Sequence, residues 1–393
     1  MSNTESTTTE HVLNRTTGST TGHQAGHAQL LGGHAQYLIA SAARAPSVHN
    51  SQPWRFVVHP DSVELWCDPR RRTWSDATGR EMLISCGAAL FGLRLAIRSL
   101  GYHSEVTLLP DPARLRLLAS VRAGRAGPLN LLESRMVAAV PHRHTHRGPF
   151  EPGPLPRGLL VGMQNDALME GAELALVGPG LGYERLAALT AAATRRGDLD
   201  PRSRATIRRW TRVAADRRRP GPAEPEHERD GIPATALAAA SAGHEQPGRL
   251  RQRDFDLGRH LGLLPVGGVP PTATAVLLTR DDRREEWLRA GQALYRLLLH
   301  AASDWVFASL YTQPVEDPVT RYLIGTQLGL HGYPQLVLQL GRATSAAATA
   351  RRGPGELTDP AGPDPAGPDP ARPRPAIPEQ PSTARPTAQP PSP

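Results

Sequence analysis

Residues 81–100, E-M-L-I-S-C-G-A-A-L-F-G-L-R-L-A-I-R-S-L, are apolar on nearly every face of a helix. A helix of that kind belongs in the centre of a protein rather than on its surface. Gly101 ends it, and residues 105–109 are predicted to follow as a strand. Residues 285–305, E-E-W-L-R-A-G-Q-A-L-Y-R-L-L-L-H-A-A-S-D-W, carry the pattern a second time. With Gly87 laid on Gly291, Ala89 meets Ala293, Leu90 meets Leu294, Phe91 meets Tyr295, Leu93 meets Leu297 and Leu95 meets Leu299. Two buried helices of one pattern predict an internal duplication. Upstream, the Ala-rich run 35–43 is helical, and Pro46 closes it because its ring clashes with the preceding turn and it has no N–H to donate. Trp54, Phe56, Val57 and Val58 then read as a strand entering the core. Further strands are predicted at the end of 264–279 and at 335–341.

The ends and one internal stretch break this pattern. Residues 1–29 are rich in Thr, Ser, Gly and His without periodicity, which predicts disorder. From residue 343 onward the chain runs into A-G-P-D-P-A-G-P-D-P-A-R-P-R-P, a five-residue repeat that predicts a polyproline-like or disordered tail over 343–393. Residues 198–256 are rich in Arg, Pro and Ala, and a polar insertion of that length is a lid, a binding loop or disorder, with a cover over the pocket as the expectation. The folded region is therefore 30–342, in halves 30–140 and 141–342.

Composition narrows the class. The chain has 393 residues, enough for one large core or two modest ones. It is 39% apolar with a mean hydropathy of −0.39, and no run of about 20 apolar residues stands out, so no membrane association is expected. The N-terminal segment lacks the charged and apolar regions of a secretory signal, and Cys67 and Cys86 show no CxxC spacing. Both facts suit reduced thiols in a cytoplasm. The net charge of +8 rests entirely on Arg, since Lys is absent, and its scatter through predicted helices does not mark a nucleic-acid surface.

Candidate chemistry concentrates in two stretches. Residues 42–56 read A-A-R-A-P-S-V-H-N-S-Q-P-W-R-F, a polar loop between a helix end and a buried strand. It suits either an ordinary capped connection or the orientation of a flat polar heterocycle. Residues 141–150 read P-H-R-H-T-H-R-G-P-F. In an extended segment Arg143, Thr145 and Arg147 point one way, giving two guanidiniums and a hydroxyl able to grip a phosphate. His142, His144 and His146 point the other way, where packing or a metal could use them. Residues 178–182, G-P-G-L-G, imitate a dinucleotide fingerprint, but the third Gly falls one residue early and Pro179 removes a backbone donor, so a tight turn is predicted.

P-S-x-x-N-x-Q-P-W-x-F at residues 46–56 resembles the flavin-contacting loop of the nitroreductase family, and R-x-T-x-R at 143–147 resembles its R-x-S-x-R phosphate motif. The segment P-V-E at 314–316 is similar to the family's P-I-E-G stretch near the flavin ring. With the loop in the first half and the phosphate motif in the second, the arrangement resembles the Acg-type flavoproteins of actinomycetes. The resemblance implies an α+β nitroreductase fold, internally duplicated so that one monomeric chain stands in for the family homodimer. It implies a single FMN site held by Ser47, Asn50, Arg143, Thr145, Arg147, Gln313, Glu316 and Arg342, and names no catalytic side chain. NAD(P)H would supply hydride, and a nitro compound, a quinone or a related small molecule would accept it. The alternative from another class is a flavin-sequestering stress protein with little turnover.

Overall fold

The computed structural model describes residues 30–212, 229–233, 236–237, 250–255, 257–258, 273–343 and 349–359. The expected disorder of 1–29 and of the tail beyond 359 lies outside them.

Helix α1 (Ala35–Ala43) leads through a one-turn 3₁₀ segment to strands β1 (Trp54–Val58) and β2 (Ser62–Cys67). Helix α2 (Arg80–Ser99) follows, then β3 (Tyr102–Leu108), β4 (Leu117–Ala126) and α3 (Leu131–Ala139). The strands form an antiparallel sheet of order β1-β2-β4-β3. The second half opens with α4 (Arg157–Met169), β5 (Ala172–Val177), α5 (Leu181–Leu199) and α6 (Pro201–Trp210). A short parallel pair, β6 (Thr211–Arg212) with β7 (Ile232–Pro233), precedes β8 (Ala273–Thr279). Helix α7 (Arg284–Ser303), β9 (Val306–Tyr311), α8 (Gln313–Glu316), α9 (Pro318–Gln327) and β10 (Tyr333–Arg342) complete it. Here too the sheet is antiparallel and four-stranded, of order β5-β8-β10-β9.

Helix α2 packs on the first sheet, α7 on the second, and the two helices pack on each other. Leu83, Leu90, Leu93 and Ile97 of α2 and Leu288, Leu297 and Leu299 of α7 are fully buried, each removal from water contributing about 1.5–3 kcal/mol. Contrary to the expectation that no run reaches membrane-spanning length, α2 is long and apolar enough to cross one, but 89% of that stretch is buried inside the protein.

The helix crossing is built on glycine. A Cβ on Gly87 would stand 2.2 Å from the Leu288 carbonyl oxygen, and one on Gly291 would stand 2.0 Å from that of Ile84. Phe91 and Tyr295 meet edge to face at 6.0 Å. These contacts are reciprocal, since 84 and 288, 87 and 291, and 91 and 295 are the positions the sequence alignment equates.

Two boundaries need correction. The insertion does not begin at 198: α5 runs to Leu199, and Asp200 caps a further helix, α6, by accepting from the Arg202 and Ser203 N–H groups ahead of Pro201. Nor does the tail begin at 343. Residues 349–359 return to the first half, where Thr358 bridges to Phe56 of β1, Arg55 donates to the Glu356 carbonyl, and Leu357, in the one-turn helix α10 (Pro354–Leu357), is fully buried.

Candidate functional site

The loop after α1 is held in uncommon backbone geometry. His49, Asn50 and Gln52 all have φ between 47° and 55°, the left-handed region that non-glycine residues rarely adopt. Three such residues in four persist only where surrounding bonds over-determine them. Ser47 Oγ accepts from the Gln52 N–H at 3.0 Å, and Ser85 Oγ of α2 accepts from the Val48 N–H. Asn50 Nδ2 donates to the carbonyls of Gly231 and Ala350, and Gln52 Nε2 to that of Arg229. Gln52 Oε1 in turn accepts from the Arg352 N–H. The loop thus fastens the 229–231 segment and the returning 349–359 strap to the first half.

Beside this loop, residues 143–147 run along β9. Thr145 pairs with Ala308, the His146 N–H donates to the Ala308 carbonyl, and Ser309 Oγ donates to the His146 carbonyl. The predicted alternation is only partly kept: Thr145, His146 and Arg147 line a cleft, whereas Arg143 is buried against Tyr295 and donates to the Arg44 carbonyl. His144 packs on Phe307, His146 on Phe150, and His142 stacks on Trp305. Among the described residues no group of three His, Cys, Asp or Glu stands ready for a metal.

The cleft encloses about 870 Å3 counting its open mouth. One wall comes from the first half, through Ser47, Val48, His49, Glu81, Ile84 and Ser85. The other comes from the second, through Thr145, Arg147, Leu310, Gln313, Gln335 and Leu336. Gln335 is the extra residue of a bulge in β10, which turns its side chain towards Arg80 and Thr279 as well as to the cleft. Described parts of the insertion close the remaining side with Ile232, Arg253 and Phe255.

Next to the cleft lies a concentration of positive charge. Arg143, Arg147 and Arg351 influence one another, and Arg44 adds to the fields at Arg143 and Arg351. Burial, then Arg143, brings the Arg147 guanidinium down to about 10; the same causes in the same order bring Arg351 to about 9. Arg143 is lowered by burial, and its Nε and Nη1 have no hydrogen-bond partner. None of the three forms an ion pair with a described carboxylate. Like charges held this close, one of them buried and none paired with a described carboxylate, are unfavourable unless an anion joins them.

The expected site residues divide accordingly. Ser47, Thr145, Arg147 and Gln313 line one cleft, and Arg143 is buried outside its lining, against Tyr295. Asn50 is not in the lining of the cleft: its amide nitrogen is committed to later backbone segments, while its Oδ1 is buried without a described partner. Glu316 pairs with Arg253 at 2.5 Å and accepts from Thr312 Oγ1, so it positions the cleft-lining Arg253. Arg342 is exposed at the end of β10 and donates to the Asp304 carbonyl. Arg351, seated by donation to the Ala45 carbonyl, stands in the cluster instead. The sequence signal for it was an R-R pair just before G-P-G-E-L, ahead of the proline repeat. His49, Glu81 and Arg253 were missed as well.

No family profile matches the chain. A protein of Mycobacterium tuberculosis (strain H37Rv), provisionally named an NAD(P)H nitroreductase, is 31% identical over 308 residues, covering 78% of this chain and 84% of that one. The chain belongs to the nitroreductase family. A second protein of the same strain, provisionally named NAD(P)H nitroreductase acg, is 28% identical over 306 residues, 78% of this chain and 88% of its own. Among solved structures, a nitroreductase with bound FMN from Desulfitobacterium hafniense aligns at a TM-score of 0.36 and 10% identity over 57% of this chain and 97% of its own. Another with bound FMN, from Bacteroides fragilis, aligns at 0.33 and 11% over 57% and 94%. These superpositions are too loose to add to the assignment.

Proposed function

We propose that this nitroreductase-family chain is an FMN-dependent oxidoreductase with one flavin site, in the cleft between its halves. The observation that carries the reading is the cluster of buried Arg143 with half-buried Arg147 and Arg351 beside a cleft with apolar walls. A phosphate monoester would supply a negative charge that no described carboxylate supplies, and guanidiniums give it paired, charge-assisted bonds. Ile84, Leu294, Leu310 and Leu336 offer apolar surface to a flat ring, while Ser47 and Gln313 offer polar contacts that fix its direction. When bound, FMN would supply two-electron chemistry between NAD(P)H and a nitro compound or quinone. The protein's part is to hold, orient and shield.

The reading includes an internal duplication, with 30–140 and 141–342 as halves and 349–359 as a strap returning to the first. The reciprocal contacts of residues 84, 87 and 91 with 288, 291 and 295 support it, because equivalent residues meet in this way across a two-fold axis. The two free, buried thiols suit the cytoplasm. A second reading, flavin retention with little turnover, is favoured by Ile232, Arg253 and Phe255 closing one side of the cleft.

The test is the purified protein. One FMN per chain, bound far more tightly than riboflavin, together with NAD(P)H oxidation driven by menadione or a nitroaromatic, is the expected result. Bound yellow FMN without turnover selects the second reading. Equal affinity for FMN and riboflavin refutes the phosphate assignment, and no flavin binding refutes both readings.

A further inference from the structure

One carboxyl in the cleft is left unused by everything described so far. Glu81 lies in the first turn of α2, is 4% exposed, and lines the cleft. Neither of its carboxyl oxygens has a hydrogen-bond partner. Arg80, next in the chain, comes only to 3.6 Å, because it donates to the Gln335 carbonyl and side chain and to the Val315 carbonyl. The neighbouring acids are committed. Asp76 uses both oxygens to cap α2, accepting from the Glu81 and Met82 N–H groups. Glu316 accepts from Arg253 and Thr312.

The charges facing Glu81 come from every side. Glu316 of α8 and Asp76 of the loop before α2 oppose its ionisation, while Arg80 of α2 and Arg253 of the insertion favour it. Burial outweighs them all and holds the carboxyl well above the usual range. His49, also in the cleft wall, is kept neutral by burial and by Arg253 and Arg147. A helix N-terminus ordinarily favours a charged Glu; an unpartnered, desolvated one stays protonated. A neutral carboxyl carries one O–H donor, and within the described protein nothing accepts from it.

We propose that Glu81 donates a hydrogen bond from its carboxyl O–H to an acceptor atom on the heterocyclic ring bound in the cleft. The inference rests on the flavin reading and assigns the ring a partner supplied by the first half. A carboxylic acid kept neutral for this purpose is an established physical device.

The test is a fluorescence titration of the whole protein with FMN and, separately, with riboflavin, from neutral pH up to the alkaline limit at which the native chain stays folded. In the native chain affinity for both flavins falls as pH rises through the Glu81 ionisation, because the O–H is lost. Glu81→Gln, which keeps a donor, holds its affinity and flattens the pH profile. Glu81→Leu, which keeps no donor, binds both flavins on the order of tenfold more weakly at the low-pH end. Binding of FMN should also perturb the infrared band of a protonated carboxyl, and that band should be missing from the Gln variant. Unaltered binding by the Leu variant, or a pH profile that persists in the Gln variant, overturns the proposal. Failure of the native chain to bind either flavin overturns the underlying reading instead. Circular dichroism of both variants shows that they fold.

Discussion

The crossing of α2 and α7 makes a prediction whose sign sequence propensity alone would get wrong. In a free helix Gly→Ala is stabilising by up to about 1 kcal/mol, because alanine has the higher helix propensity. Here the new methyl of Gly291→Ala would lie 2.0 Å from the Ile84 carbonyl oxygen and 2.7 Å from the Ala88 nitrogen, and that of Gly87→Ala 2.2 Å from the Leu288 carbonyl oxygen. Ordinary contact begins at 3.4 Å, so the helices must part by roughly 1.4 Å, and every obstructing atom is backbone that cannot rotate aside. Overpacking of this kind costs about 1–3 kcal/mol or more, and the rigid partners place it at the upper end. After the propensity gain, each single variant should lose about 2 kcal/mol, a fall in Tm of roughly 4–8 °C. The double variant should lose clearly less than the sum, since one separation accommodates both methyls. Urea denaturation with a double-mutant cycle measures this. Either single variant as stable as the native chain would show that the helices do not cross on these glycines, and strictly additive losses would show that the two positions do not share one contact.

The remaining predictions concern the site and its supports. Gly182→Ala in α5, where nothing lies within 4 Å of the added carbon, should be neutral or stabilising by a few tenths of a kcal/mol in the same denaturation assay. Arg351→Gln should weaken FMN binding about tenfold or more and leave riboflavin unchanged, as one charge-assisted phosphate contact would; equal losses for both flavins would mean that Arg351 acts only on the fold. Asn50→Ala removes donors to the Gly231 and Ala350 carbonyls, so it should cost about 1–3 kcal/mol and speed proteolysis near both segments. Burial lowers the pKa of His49, His146 and His144, the last to about 4. Below the unfolded value near 6.5 the unfolded chain binds protons that the fold refuses, so stability should fall as pH drops from about 6.5 towards 4, by roughly 1–3 kcal/mol for His144. Stability that stays flat over that window would refute the burial of these rings.

How much could be read in the sequence depended on where each residue's partners lie along the chain. The Gly87 and Gly291 helices were legible because burial on all faces and a shared pattern are properties of the segments themselves. The nearness of Thr145 and Arg147 to one cleft was legible because an extended backbone fixes side-chain direction locally, but Arg143 and His146 depart from that alternation. Asn50 was not, since its acceptors come from residues 231 and 350, and a polar side chain does not announce which distant carbonyls will reach it. The start of α6 could have been recognised from Asp200-Pro201, a cap followed by proline in the first turn, but the Arg-rich composition around it resembled a loop.

Arg342 and Arg351 show most clearly why site assignment needs the tertiary structure. Both are arginines near the end of the folded chain, and a motif assigns the role to the one that closes the last strand. Strand β10 instead carries Arg342 to an exposed end, where water screens its charge and the Asp304 carbonyl accepts from it. Nine residues on, the strap lies against the first half, anchored by buried Leu357, by Arg352 on Gln52 and by Arg55 on the Glu356 carbonyl. Those anchors bring Arg351 in among guanidiniums that repel it. Repulsion of that kind is tolerated when apolar burial and hydrogen bonds elsewhere in the strap outweigh it, and it is reversed when a dianion enters. The strap should therefore hold more firmly with phosphate present than without it. Limited proteolysis between residues 343 and 359 should slow when FMN is added and not when riboflavin is. Equal protection by both would mean that the strap responds to the ring, and that Arg351 is not what couples it to the site.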